Sequence, residues 1–142
     1  MSDIKTALYD LLAADGTVAG IVSTRIYHQA ASTNADLPYI VIQRIGSIHD
    51  HHMTAATGLT RPSIQIDCWS TSSTLAQALA EAVREALDVY RGTMGTDSLF
   101  VNVASLQGEN DDYEIPRSDE EVTSYRVTQD WLIWHAESVP TF

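Results

Sequence analysis

Cysteine is nearly absent from this sequence: Cys68 stands alone among 142 residues. A single thiol excludes an internal disulfide and any cysteine-rich zinc site. Basic residues are scarce too, with 8 lysines and arginines against 19 acids and a formal net charge of -11. A protein that holds nucleic acid by its phosphates needs a basic patch, and docking on anionic lipid asks for the same; the composition argues against both. No apolar run approaches the ~20 residues of a membrane helix. Asp3 and Lys5 precede an amphipathic segment rather than the unbroken apolar core of a signal peptide, so the chain is expected to start in the cytoplasm. The chemical signatures are missing as well. There is no G-x-S-x-G elbow, no phosphate-binding glycine loop and no H-E-x-x-H pair. Neither an enzyme nor a cofactor is expected. Repeats, low-complexity segments and linkers are absent, and the length fits one domain, residues 1–142, with a real core.

What is present is organised around Arg61 to Gly92. Ile64, Ile66 and Cys68 alternate with Ser63, Gln65 and Asp67 as a strand, which puts Cys68 on the apolar face as a small core residue. A polar turn leads into an amphipathic helix. Leu75, Leu79, Val83, Ala86, Leu87 and Tyr90 form its apolar stripe. Thr74 with Gln77 fits a capping box, and Ser72 or Ser73 would cap one turn earlier. Gln77, Glu81, Arg84, Glu85 and Asp88 take the wet face, with Arg84 placed to pair with Asp88. Gly92 stands where such a helix stops.

Before this stretch, Asp3 to Ala14 reads as a short helix with Ile4, Ala7, Leu8, Leu11 and Leu12 on one face. Asp15-Gly16 ends it, and Val18 to Val22 adds one further turn. Arg25-Ile26-Tyr27 is a short strand, with Arg25 a solvated charge beside it. Tyr39 to Ile48 is a strand with neither face clearly polar, as if covered on both sides, by helices and by a neighbouring subunit. His49 to Arg61 is long for a hairpin loop and reads as an extended arm. After the helix, Leu99 to Ala104 is a strand. The last strand, Val122 to about His135, would span ~45 Å; it must pair beyond its own domain, bend, or stay bare at one end. The expected fold is α+β: a mostly antiparallel sheet of about four to five strands against two main helices, with an extended hairpin.

Three polar or aromatic features remain. His49-Asp50-His51-His52 offers two histidines on one face of an extended segment, weak evidence for a metal without a third ligand; a solvated or interface-forming hairpin tip is the ordinary reading. Glu109, Asp111, Asp112, Glu114, Asp119, Glu120 and Glu121 crowd one segment against a single base, Arg117. That segment is either a solvated loop or an acidic lining for a channel that DNA traverses. Trp69, Trp131 and Trp134 fall on or near strand ends, where the choice is partial burial or burial against another subunit.

Taken in order, these pieces resemble one family. They are Leu8, Leu11 and Leu12 in the first helix, Arg25-Ile26-Tyr27, Leu37-Pro38-Tyr39-Ile40-Val41, His52-Met53 and Gly58-Leu59. Gln65-Ile66-Asp67-Cys68-Trp69, the Leu79 to Leu87 helix series and the closing Trp131-Leu132-Ile133-Trp134 complete the set. The chain resembles the tail-completion (tail-terminator) family of long-tailed bacteriophages and prophages, over most of its length. The resemblance implies a structural protein of the virion tail, made in the host cytoplasm, that caps the head-proximal end of the tail tube. It implies a ring, generally of six copies, with the major tail tube protein and a head-completion or connector protein as partners. DNA would pass through without specific binding, and no membrane is involved. No catalytic, metal or cofactor residue comes with it. Interface candidates are Met53, Gly58 and Leu59 at the hairpin tip with Trp69, Trp131 and Trp134, and the acids from Glu109 to Glu121 would line the lumen. The alternatives are another ring component of a phage connector or phage-derived device, or a small metal-dependent enzyme using His49 to His52.

Overall fold

The computed structural model describes residues 4–30, 36–51, 56–95, 99–115 and 123–136, with backbone alone over 48–51 and 56–59. The chain opens with α1 (Ile4–Ala14) and α2 (Gly16–Val22), then β1 (Ile26–His28), β2 (Tyr39–His51) and β3 (Ala56–Ser70). Helix α3 (Ser73–Leu87) follows, then β4 (Gly92–Met94), β5 (Leu99–Glu114) and β6 (Ser124–Ala136). The strands form one sheet in the order β1-β2-β3-β6-β5-β4. Among the described residues only β1 and β2 pair in parallel; every other neighbouring pair is antiparallel. The α+β reading holds; the described residues form three helices and six strands, where two main helices and about four to five strands were expected.

Local chemistry sets the helix ends. Asp15 ends α1 and also caps α2, its carboxylate accepting from the Thr17 and Val18 amides at 3.1 and 3.0 Å. That cap turns the expected extra turn into a second helix. Arg25 is part of the scaffold rather than a solvated charge: its guanidinium donates to the Pro38 and Ile21 carbonyls, joining the end of α2 to the entry of β2. The cap of α3 is Ser72, which accepts from the Leu75 amide; Thr74 of the expected capping box already lies inside the helix. Arg84 pairs with Glu81, not with Asp88. Asp88 instead accepts from the Leu106 amide at 3.3 Å, because the helix ends there and its cap turns toward β5.

All three helices lie on one face of the sheet. Strands β3 and β5 both run antiparallel to β6, which lies between them, so the α3 connection must cross over β6 and cover it. The core joins Leu8, Leu12, Val18, Leu79, Val83 and Leu87 of the helices to Ile40, Ile42, Ile64, Ile66, Cys68 and Ile133 of the strands. Trp131 belongs to this core at 1% exposure, which corrects its expected place at an interface. Its indole donates to Gln129 Oε1 at 3.1 Å, and Gln129 Nε2 donates to the Ala80 carbonyl of α3 at 2.8 Å. One buried amide thus satisfies the indole and ties β6 to the helix above it.

Strand β6 needs no partner from outside to account for its length. It pairs with β3 on one side and with β5 on the other, because β5 runs on through the acidic segment to Glu114. Glu109 to Glu114 is therefore strand, not loop.

Gly95 shows how closely α1 is seated. Its φ is +78°, and a Cβ there would stand 2.9 Å from Ala7 Cα and 3.1 Å from an Asp10 carboxylate oxygen. Strain and backbone collision act together, so Gly95→Ala is expected to cost about 1–3 kcal/mol in urea denaturation. An unchanged midpoint would contradict this seating of α1.

Candidate assembly surface

The face of the sheet away from the helices has no covering element among the described residues. At one end of it a row of side chains crosses five strands. Tyr27 on β1 meets Tyr39 on β2 edge-on at 5.7 Å between centroids, and Tyr39 stacks on Trp69 of β3 at 6.1 Å. Arg126 of β6 lies over the Trp69 ring at 5.1 Å and donates to Asp112 of β5 at 2.7 Å. The strand register builds the row, since Tyr39 is opposite Trp69, Trp69 opposite Arg126 and Arg126 opposite Asp112. The Asp112 carboxyl is held below the usual carboxylate range, first by the Tyr113 amide and then by Arg126. The Tyr39 hydroxyl is pushed up, chiefly by burial and then by the charges of Glu114, Tyr27 and Asp67.

Midway along the same face, two irregularities line up. Strand β2 is bulged between Arg44 and Gly46, and β5 between Leu106 and Gly108. Arg44 is opposite Ile64, Ile64 opposite Trp131 and Trp131 opposite Leu106, so the two bulges share one level of the sheet. Bulges bend and twist a sheet. A trough of about 370 Å³ lies there, its walls including Ile45, Gln107, Asp130 and Leu132. Ile45 is 62% exposed, so the expected second cover of β2 does not come from this chain's described residues. A second groove, about 270 Å³, separates the start of α3 from Asp111, Tyr113 and Tyr125 on the helix side.

The expected site residues scatter over this frame. Trp69 and Trp134 share the uncovered face, both half-buried, at opposite ends of the sheet. Trp131 points the other way. The acids straddle β5: Asp112 and Glu114 accompany Arg126 and Ser124 on the uncovered face, while Glu109 and Asp111 are opposite Gln129 and Val127 on the helix side. All four are exposed. Gly58 lies within β3. His52, Met53, Asp119, Glu120 and Glu121 lie outside the described residues, as do the side chains of His49, Asp50, His51 and Leu59. Among the described residues no three metal-ligating side chains come together.

Cys68 is fully buried, and burial, followed by the charges of Asp67 and Glu109, pushes its thiol far above the ordinary range. The folded protein should therefore resist thiol reagents at neutral pH and titrate one thiol in urea; rapid labelling without denaturant would contradict the placement. The same shift makes the fold lose stability as pH rises beyond the ordinary thiol pKa, where the unfolded chain ionises and the folded one does not.

Sequence reasoning passed over Tyr27, Tyr39 and Arg126 as a set, and the bulges at Ile45 and Gln107. Cross-strand rows depend on register, which the alternation of one strand does not carry.

Comparison with known proteins finds a matching family and similar solved structures. Residues 6–133 match a family model described as tail completion protein gp17. A chain from a solved structure titled "Virion of native gene transfer agent (GTA) particle" is similar at a TM-score of 0.71 and 17% identity, over 94% of each chain. That likeness shows a shared fold. No curated protein matches.

Proposed function

The chain belongs to the tail completion protein gp17 family and is a structural component of a phage tail; from that premise we propose that it works as one segment of a closed ring. The ring, of six copies, sits on the head-proximal end of the tail tube, ends its growth and forms the tail side of the joint with the head. The tube protein contacts one rim and a head-completion or connector protein the other. DNA passes through the middle without being held. Assembly begins in the host cytoplasm.

The observation that carries this reading is the uncovered face of the sheet. Trp69, Leu132, Trp134 and the exposed Ile45 all lie on it, while every helix packs on the opposite side. Its polar groups are incomplete as well. Arg126 Nε and Arg61 Nε are buried with no hydrogen-bond partner among the described residues. Buried donors find partners in finished structures, so a neighbouring protein completing this face fits both its apolar and its polar deficits. A ring of identical copies needs two different complementary patches on each, and a face with two separate tryptophans and a central trough offers varied surface for that. The net charge of -11 and the exposed acids of β5 suit a passage that must not grip DNA.

Electron microscopy of purified tails, with the chain labelled, tests the reading. The expected image is one ring at the head-proximal end. Label distributed along the tube, or confined to the opposite tip, would refute it.

A further inference from the structure

Each side of the sheet ends in a strand that is paired over only part of its length. On one side, β1 covers β2 at Ile40 to Ile42 and the Gln29 amide reaches the Ile42 carbonyl. From residue 44 to 51 that edge of β2 has no backbone partner among the described residues. The Ile40 amide and the Ile42 carbonyl point to this edge, so alternation sends the backbone groups of Arg44 the same way. On the other side, β4 covers β5 at Leu99 to Val101, and the turn after α3 binds Ala104 and Leu106. From residue 107 to 114 that edge of β5 is unpaired among the described residues. The two open stretches are equal in length. They lie on opposite sides of the sheet and at opposite ends of it.

Open strand edges recruit other strands, and soluble proteins guard them with charge. Here the guards differ in net charge. The β5 edge carries Glu109, Asp111, Asp112 and Glu114, all exposed. Arg44, also exposed, stands at the start of the open β2 edge with no ion pair among the described residues. A β5 edge meeting another β5 edge would bring four acids against four. The open β2 edge balances Arg44 against Asp50 and brings no such repulsion, with the cation at the end nearest β1.

We infer that the open edge of β5 in one copy pairs with the open edge of β2 in the next, so that the sheet continues from subunit to subunit. This rests on the ring reading above and says which surfaces close the ring. Following the strand directions across the sheet, β2 and β5 run antiparallel, so the new pair repeats the alternation already present. The edges differ, which makes the contact head-to-tail and able to close by rotation. Their diagonal placement staggers each copy along the strands relative to the last, as the shear of a barrel does, and inclines the strands to the ring axis. Arg44 and Asp111 lie on the same, helix-bearing face of the sheet, so they remain on one side of the joint.

The chain contains one lysine, Lys5, which makes a zero-length amine–carboxylate cross-link a clean probe. Arg44→Lys places a new amine at the β2 edge. Within one chain β3 and β6 separate it from β5, a distance of ~14 Å at ordinary strand spacing, too far for such a link. Carbodiimide treatment of assembled tails carrying Arg44→Lys is expected to give covalent multiples of this chain, with position 44 joined to the peptide spanning 109–114. Arg44→Glu is expected to raise the concentration needed for ring formation ~10-fold or more, because like charges then face each other, and adding Asp111→Arg to it should restore assembly. Both positions are exposed, and circular dichroism confirms that the variants fold. Rings that form without the cross-link and ignore the charge reversals would overturn the edge pairing and leave the ring reading standing. The new amine joined only to tube or head proteins would also overturn it. Tails with no ring at all would remove both.

Discussion

Trp131→Ala is expected to lower the unfolding free energy by about 3–5 kcal/mol, the range for a large aromatic removed from a packed core. Two losses add together. The indole fills the space beneath α3 at 1% exposure, so its removal leaves a cavity between helix and sheet. Gln129 also loses the indole N–H it accepts from, inside the core, while its amide stays fixed on the Ala80 carbonyl. The shift should be visible as a melting temperature lower by ~10 °C or more. Trp134→Ala is the control. That residue is half-buried on the uncovered face, so the isolated chain should lose far less stability. Equal losses at the two tryptophans would mean that β6 is turned over relative to the helices.

Those two residues also show how much of the molecule could be read from sequence. Alternation along β6 places Trp131 with Val127 and Ile133 and Trp134 with Arg126 and Leu132, and the structure shows that division. Grouping both tryptophans as interface residues overrode the pattern. A tryptophan among apolar neighbours on an apolar strand face is core first. The α3 stripe was similarly plain, because helical periodicity is local, while its cap lies at Ser72, ahead of the Thr74 capping box that the sequence offers first. The acidic segment was misplaced for the opposite reason: like charges at Glu109, Asp111, Asp112 and Glu114 argue against packing, yet a strand needs only one neighbour. Strand β6 supplies it, while the acids remain in water. The row from Tyr27 to Asp112 and the matched bulges depend on how five strands register against each other, which no single stretch encodes. The open edges follow from strand order, and strand order is a property of the whole chain.

Family membership and the uncovered sheet face together lead to the second large effect, on tail length. A tube that polymerises from a tip stops when something occupies its growing end in a form to which the next tube ring cannot add. A closed annulus does this by geometry alone, with no reaction and no cofactor, and it also offers the head a surface that bare tube lacks. On the ring reading proposed above, loss of this chain leaves addition unlimited and removes that second surface. The effect should be qualitative, a change in the whole distribution of lengths rather than a small shift of its mean. Variants that keep the fold but spoil the joint between copies, Arg44→Glu among them, should resemble the deletion in kind. Trp131→Ala should do so only to the extent that the chain fails to fold.

The most direct measurement is the length of tails, by electron microscopy, in particles made without this chain. Tubes of widely varying length, unattached to filled heads, are the expected result. Tails of uniform length joined firmly to their heads would contradict the account at its root.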